Sequence, residues 1–253
     1  MNSILLLAQD LESPASATLK GDRARAVQLR HSLKPGVRTK AALLNGLRGH
    51  VTVIEASPDK ISLQLELNQP PPPRRSIDLI VAVPRPQTVK KVISLSTIAG
   101  IRSLTFVRSE HTEKSYLSSK SLREEEIFRQ VELGLEQAFD SVPPEIVIFD
   151  SFWSFKKERL ESSIPGRAGF LAHAGERSSG LQVFTAALKG CASAALAIGP
   201  ESGWSLKEHE VFIEHGFHKI SLGERIFRVE QAAAVLLGQL LLALPRQASE
   251  SSN

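Results

Sequence analysis

Two glycine-bearing loops in the last third of the chain carry the residues whose types and spacing could do chemistry. They read Ile198-Gly-Pro-Glu-Ser-Gly-Trp204 and Ser221-Leu-Gly-Glu-Arg-Ile-Phe-Arg-Val-Glu230, and each stands between an apolar run and a helix start. Glycine lets a backbone pass close to a ligand, where a Cβ would collide. The second loop adds Arg225, Arg228 and Glu230, which supply two cations and a carboxylate. The pair predicts a small-molecule pocket at one end of a sheet.

The elements that must position these loops follow from local patterns. Ser193 to Ile198 is a short apolar run and predicts a buried strand. Ser205-Leu-Lys-Glu208 is a capping box that opens a helix, which Gly216 ends. An apolar helix is predicted from Arg228 to Leu244, and its uncharged run is too short to span a bilayer.

The two loops together resemble a family signature. Ile198-Gly-Pro-Glu-x-Gly with Glu208, then Ser221-Leu-Gly-x-Arg-Ile-x-Arg228-x-Glu230-x-Ala-Ala, resemble the motifs of the RsmE family. These are SPOUT-class methyltransferases that methylate N3 of a uridine in small-subunit (16S) ribosomal RNA. The resemblance implies an S-adenosylmethionine cofactor, a PUA-like β-barrel that helps hold RNA, a trefoil-knotted α/β domain, and a homodimer with the RNA site between subunits.

The resemblance also assigns roles to residues. Arg228 would stabilise negative charge on the uracil carbonyl oxygens, and Glu230 would orient an arginine or accept a proton. Alternatively, Glu230 is an acidic residue in the first turn of its helix with no further role. The residues expected to hold the cofactor are Leu171, Ile198, Gly199, Pro200, Glu201, Gly203, Ser221, Leu222, Gly223, Ile226 and Phe227.

Four consecutive prolines after Gln69 divide the chain, because they favour an extended spacer. We expect residues 1–72 to form a small β-barrel or sandwich, since short β-rich runs dominate there and no long helical period appears. We expect residues 73–253 to form a parallel sheet covered by helices on both faces, because strands and helices alternate. An ordinary doubly wound topology is the alternative to the knot that the resemblance implies.

Composition agrees with an RNA-processing protein without requiring one. The chain has 253 residues, 42% of them hydrophobic, and a formal net charge of +4. Such a modest excess permits nucleic-acid binding. A single cysteine excludes an internal disulfide, and no Cys/His cluster has metal-ligand spacing. The N-terminus has no basic segment before its short apolar run, so we expect no membrane association and a cytoplasmic location.

The basic stretch from Lys20 to His31 is the candidate phosphate contact in the N-terminal part. Arg23, Arg25 and Arg30 are predicted to bind RNA, since the guanidinium suits phosphate. The alternative is a solvated charged face.

Four positions depart from the pattern of the family. Ser32, Ser94, His111 and Asp140 stand where the family has other residues, arginine among them. The two glycine-bearing loops, which would hold the methyl donor, match the family pattern better than the residues expected to contact the RNA. Two further hypotheses therefore stay open: a catalytically weak RNA-binding or ribosome-assembly protein, and a SPOUT methyltransferase that acts on another RNA.

Overall fold

The computed structural model describes residues 3–161, 166–175 and 180–244. The chain divides into two compact units. The first unit contains residues 1–72 and 129–143, and the second contains residues 73–128 and 144–253. The prolines at 70–73 thus lie where the first unit gives way to the second, and a later segment of fifteen residues returns to the first unit.

The first unit is built on a six-stranded mixed sheet. Its strands are β1 (Ile4–Leu6), β2 (Leu11–Ser13), β3 (Ser16–Lys20), β4 (Arg38–Leu43), β5 (Arg48–Ala56) and β6 (Lys60–Gln69). They are ordered β1-β4-β5-β6-β3-β2, and only the β1–β4 pair is parallel. Alternate residues of β5 and β6 point into one core, so Val51 pairs with Leu65 and Val53 with Leu63.

The first unit contains a helix that was not predicted. The eleven-residue helix α1 (Gly21–His31) follows β3 directly, in a region where we predicted short strands and no long helix. Only Ala24 and Val27 of this helix are buried, so its apolar stripe is too narrow to stand out among the charged residues. The helix ends at Ser32, which adopts the left-handed conformation at φ 50°.

The second unit alternates strands and helices. Its strands are β7 (Arg75–Ala82), β8 (Ile101–Val107), β9 (Glu145–Phe149), β10 (Arg167–Ala172), β11 (Ser193–Ile198) and β12 (Phe217–Ile220). The helices that follow α1 along the chain are α2 (Pro86–Ile98), α3 (Lys114–Leu117), α4 (Glu124–Ala138), α5 (Phe152–Phe155), α6 (Gly180–Leu188), α7 (Leu206–Glu214) and α8 (Val229–Ala243). The last ten residues of α4 belong to the first unit.

All six strands of the second unit are parallel, in the order β12-β10-β11-β7-β8-β9. This confirms the predicted α/β class with a parallel sheet. Every residue of β11 is buried, as expected for a strand covered on both faces. The chain places β7, β8 and β9 in sequence to one side and then returns to the other side of β7. Ligands bind at the carboxyl ends of strands where the order reverses in this way.

Candidate active site

The first loop follows β11 and is shaped by two glycines. A Cβ on Gly199 would lie 2.9 Å from the backbone nitrogen of Trp204, so the loop folds back tightly on itself. Gly203 has φ +77°, which side chains other than glycine rarely adopt. The predicted capping box then opens α7, since Ser205 Oγ accepts from the Glu208 N–H and Glu208 Oε2 accepts from the Ser205 N–H.

A neighbouring segment braces this loop. The backbone N–H of Glu110 donates to Glu208 Oε1 at 2.8 Å. The Nδ1 atom of His111 lies 3.0 Å from the carbonyl oxygen of Gly203. His111 therefore contacts the first loop directly. It is one of the four positions that depart from the family pattern.

The second loop connects β12 to α8. Ser221 Oγ accepts from the Gly223 N–H at 3.1 Å, and Gly223 has φ +109°. Arg228 is the N-cap of α8, and its N–H donates to Gln231 Oε1 at 3.1 Å. The loop thus turns on a glycine and ends in a capped helix, with Glu230 in the first helical turn.

These loops enclose an apolar cavity of about 240 Å³. Of the predicted site residues, the lining includes Ile198, Gly199, Pro200, Glu201, Gly203, Leu222, Gly223, Ile226, Phe227 and Arg228. Two of the residues expected to hold the cofactor do not line it, since Leu171 is fully buried within β10 and Ser221 supports the turn, and the predicted catalytic residue Glu230 does not line it either. Sequence reasoning did not include Ala172, Ala174, Ile220, Val229, Ala232 and Leu236, which also line the cavity. Ala172 and Ile220 are the last residues of β10 and β12, and their place at the carboxyl ends of predicted strands was the available signal for the cavity.

A second cavity of about 570 Å³ adjoins the first, since Glu201 and Arg228 line both. We call it the polar cavity because most of its lining residues have polar or charged side chains. Its remaining lining is Arg85, Pro86, Gln87, Thr88, Lys91, Tyr116 and Glu230. Most of these residues come from the start of α2, a segment that sequence reasoning did not connect to the site.

Ion pairs set the electrostatics of the polar cavity. Lys91 Nζ lies 2.9 Å from Glu230 Oε1, and Arg85 Nε lies 3.8 Å from Glu201 Oε1. The hydrogen bond from Lys91 holds the pKa of Glu230 below its usual value, and the charge of Arg228 acts in the same direction. Glu230 therefore carries a negative charge at neutral pH and lies among cations.

The three arginines expected to bind RNA lie on α1 and are all paired. Arg23 contacts Asp10 and Glu132, each at 2.9 Å. Arg30 contacts Glu136 at 3.0 Å. Arg25, which is half exposed, contacts Asp22 and Asp59.

A family model described as an RNA methyltransferase domain matches residues 70–241. The chain belongs to this RNA methyltransferase family. It is 27% identical over 243 residues to the ribosomal RNA small subunit methyltransferase E of Treponema pallidum (strain Nichols), covering 94% of this chain and 90% of that protein. These findings confirm the resemblance drawn from the two loops.

Solved structures share the fold of this RNA methyltransferase. A ribosomal RNA small subunit methyltransferase E from Neisseria gonorrhoeae bound to S-adenosyl methionine has a TM-score of 0.74 at 16% identity, over 96% of this chain and 98% of that one. A methyltransferase from Legionella pneumophila in complex with the same cofactor has a TM-score of 0.71 at 21% identity, over 96% and 98% of the two chains.

Besides His111, two further departures from the family pattern have local structural roles in this RNA methyltransferase. Ser32 ends α1 in the left-handed conformation. Asp140 is buried, and its Oδ1 accepts from the N–H groups of Ser141 and Val142 at 2.7 and 3.2 Å. Asp140 therefore shapes the turn after α4.

Neither a membrane span nor a metal site is found in the part of the chain that the structure describes. No helix there is long and apolar enough to cross a bilayer. Nor do three His, Cys, Asp or Glu side chains in that part come together to hold an ion.

Proposed function

We propose that this chain is an S-adenosylmethionine-dependent methyltransferase that methylates N3 of a uridine in the RNA of the small ribosomal subunit. The observation that carries the proposal is the apolar cavity, since nine of the eleven residues expected to hold the cofactor line it. Membership of the RNA methyltransferase family and the names of the relatives support the same reaction.

The residues of the apolar cavity fit the cofactor. Gly199 and Gly223 allow backbone positions that a side chain would exclude, which suits a loop wrapped closely around a ligand. Ile198, Leu222 and Phe227 supply apolar surface for an adenine ring and a methionine chain. Backbone groups of the two loops are then available to fix the polar edges of the ligand.

When bound, S-adenosylmethionine would supply an activated methyl group for N3 of the base. The Glu230 carboxylate, in the lining of the adjoining cavity, would accept the proton that N3 gives up. Most of the acceleration would come from holding the reacting atoms about 3–3.5 Å apart. Arg228 lines both cavities, so its guanidinium can face the negative charge that develops on the carbonyl oxygens of the base.

The same proposal extends to architecture. Residues 1–72 would form the PUA-like RNA-binding barrel, and residues 73–253 the trefoil-knotted methyltransferase domain. The mixed sheet of the first unit and the insertion of β11 between β7 and β10 support these assignments. Arg23, Arg25 and Arg30 would contact RNA, and Arg25 has the most exposed side chain of the three.

A homodimer is part of this proposal. Val235 and Leu242, seven residues apart on α8, are 40% and 91% exposed, and Ala234 is exposed beside them. An apolar stripe of this kind on a helix suits a partner helix. The proposed setting is the cytoplasm, where the small ribosomal subunit would be the substrate.

Two measurements test the proposed function. Calorimetric titration with S-adenosylmethionine should give a saturable heat, and absence of heat would favour the RNA-binding protein without a cofactor. Ribosomal RNA from a deletion strain, analysed by mass spectrometry, should lack one N3-methyluridine. If the N3-methyluridine signal of the ribosomal RNA is unchanged and a methylated nucleotide is lost from another RNA, the result would favour a methyltransferase that acts on that other RNA.

A further inference from the structure

The polar cavity contains a hydrogen-bonding array made of Lys91, Glu230 and Arg228. Lys91 lies one turn into α2, and its ammonium contacts the Glu230 carboxylate at 2.9 Å. Arg228 precedes Glu230 by two residues at the start of α8 and lines the same cavity. The cavity wall therefore carries two groups that donate hydrogen bonds, Lys91 and Arg228, and one that accepts them, Glu230, which contacts Lys91.

The array keeps capacity for a ligand despite its internal ion pair. An ammonium group has three N–H donors, a guanidinium has five, and a carboxylate offers about four lone-pair positions. The Lys91 side chain is 58% exposed and that of Glu230 is 15% exposed. A planar ligand edge can thus reach the array from the cavity.

We propose that Lys91, Glu230 and Arg228 recognise the imide edge of a uracil base, with Lys91 as a specificity-determining residue. The edge O4, N3–H, O2 presents acceptor, donor, acceptor, which complements the array. Cytosine has no proton on N3 and carries an amino group at C4, so it would set a donor against Lys91 and an acceptor against Glu230. The inference rests on the proposed function, since it assigns the acceptor base to the cavity beside the cofactor loops.

The charges of the cavity suit the same ligand. Arg85, Lys91 and Arg228 bring three cations, and Glu201 and Glu230 two carboxylates. The excess of one positive charge favours a base that becomes anionic at O2 and O4 as its N3 proton leaves. Glu230 accepts the proton from N3 and passes it to water. The ring of Tyr116, which also lines the cavity, provides an aromatic surface against which the base can pack.

The decisive variant exchanges the ion pair, as Lys91→Glu with Glu230→Lys. The exchange restores an attraction between the two positions but reverses the order of donor and acceptor. We expect Lys91→Met to lower kcat/KM on small ribosomal subunits from a deletion strain about tenfold or more, because a charged hydrogen bond is lost. Lys91→Met also removes the ion pair with Glu230, so we expect a lower melting temperature. The exchange should restore that temperature but neither the rate nor the preference for uridine over cytidine in binding, whereas Lys91→Arg should retain most of the rate. A rate restored by the exchange, or left unchanged in Lys91→Met, would overturn the inference.

A matched control and a second measurement separate this inference from the proposed function. Lys90→Met removes the adjacent lysine, which pairs with Glu126 and does not line the cavity, so its rate should equal that of the unmodified protein. Fluorescence anisotropy with short labelled oligouridylate and oligocytidylate should show preference for uridine in the unmodified protein, and its loss in Lys91→Met. Preference for uridine without methyl transfer would refute the proposed function alone. Methyl transfer to uridine with equal binding of both oligonucleotides, unaffected by Lys91→Met, would refute the array alone.

Discussion

Replacement of Glu136 by glutamine should destabilise the first unit strongly. The Glu136 side chain is fully buried, yet it is ionised because Arg30 lies 3.0 Å away. Burial alone would raise the pKa of Glu136, but the His31 ring, whose Nε2 lies 3.9 Å away, and the charge and hydrogen bond of Arg30 outweigh it, and the pKa lies below the usual value. The backbone N–H of Leu5 also donates to this carboxylate, at 3.3 Å.

The size of the effect follows from these contacts. Removal of one member of a buried ion pair costs about 3–5 kcal/mol, because the remaining charge lacks compensation. Arg30 is 21% exposed and keeps Glu132 at 3.6 Å, and glutamine retains an acceptor for Leu5. Allowing for these, we expect a loss of roughly 2–4 kcal/mol in the free energy of unfolding at pH 7. Urea denaturation followed by circular dichroism measures this loss.

The pH dependence gives the prediction its sign. A carboxylate whose folded pKa is depressed stabilises the fold fully above its unfolded pKa, about 4.3, and this stabilisation disappears as the pH falls through the folded pKa. The difference between the original protein and Glu136→Gln should therefore be largest near neutral pH and shrink in acid. Glu66→Gln, in the exposed pair with Arg38, is the control and should change stability by about 0.5 kcal/mol or less. A loss for Glu136→Gln no larger than that of the control, or one that grows in acid, would refute the reasoning.

Three other substitutions test separate features. Gly199→Ala places a Cβ 2.9 Å from the Trp204 nitrogen, so calorimetry should show S-adenosylmethionine affinity reduced about tenfold or more, and unchanged affinity would contradict the role of the tight loop. Arg228→Ala should lower single-turnover methylation roughly 100-fold while circular dichroism stays unchanged, and equal turnover would exclude its part in charge stabilisation. Ser32→Gly should stabilise the first unit by about 0.5–1 kcal/mol in urea denaturation, since Ser32 has φ 50°, and a loss of stability would mean that its side chain contributes to the fold.

The fold of the second unit was predictable because its signals are local. Buried parallel strands read as apolar runs, and β11 is apolar along its whole length. The glycine turns and the capping box at Ser205 identify where strands end and helices begin. The first unit was harder to predict, since α1 buries only two side chains and the segment 129–143 joins the unit from far along the sequence.

The candidate site divides in the same way. Each of the two glycine-bearing loops is continuous in sequence, so the glycines of both loops and the arginines of the second appear as a motif. The proposed acceptor array has no such motif, because Lys91 and Glu230 are 139 residues apart and meet only where α2 packs against α8. From sequence, Lys91 is one lysine of a Lys-Lys pair, and nothing distinguishes it from Lys90. In α2 the two lysines have different partners. Lys90 contacts Glu126, whereas Lys91 contacts Glu230 in the first turn of α8. Residues that choose the substrate can thus lie outside every recognisable motif, and here the comparison of Lys91→Met with Lys90→Met tests that separation directly.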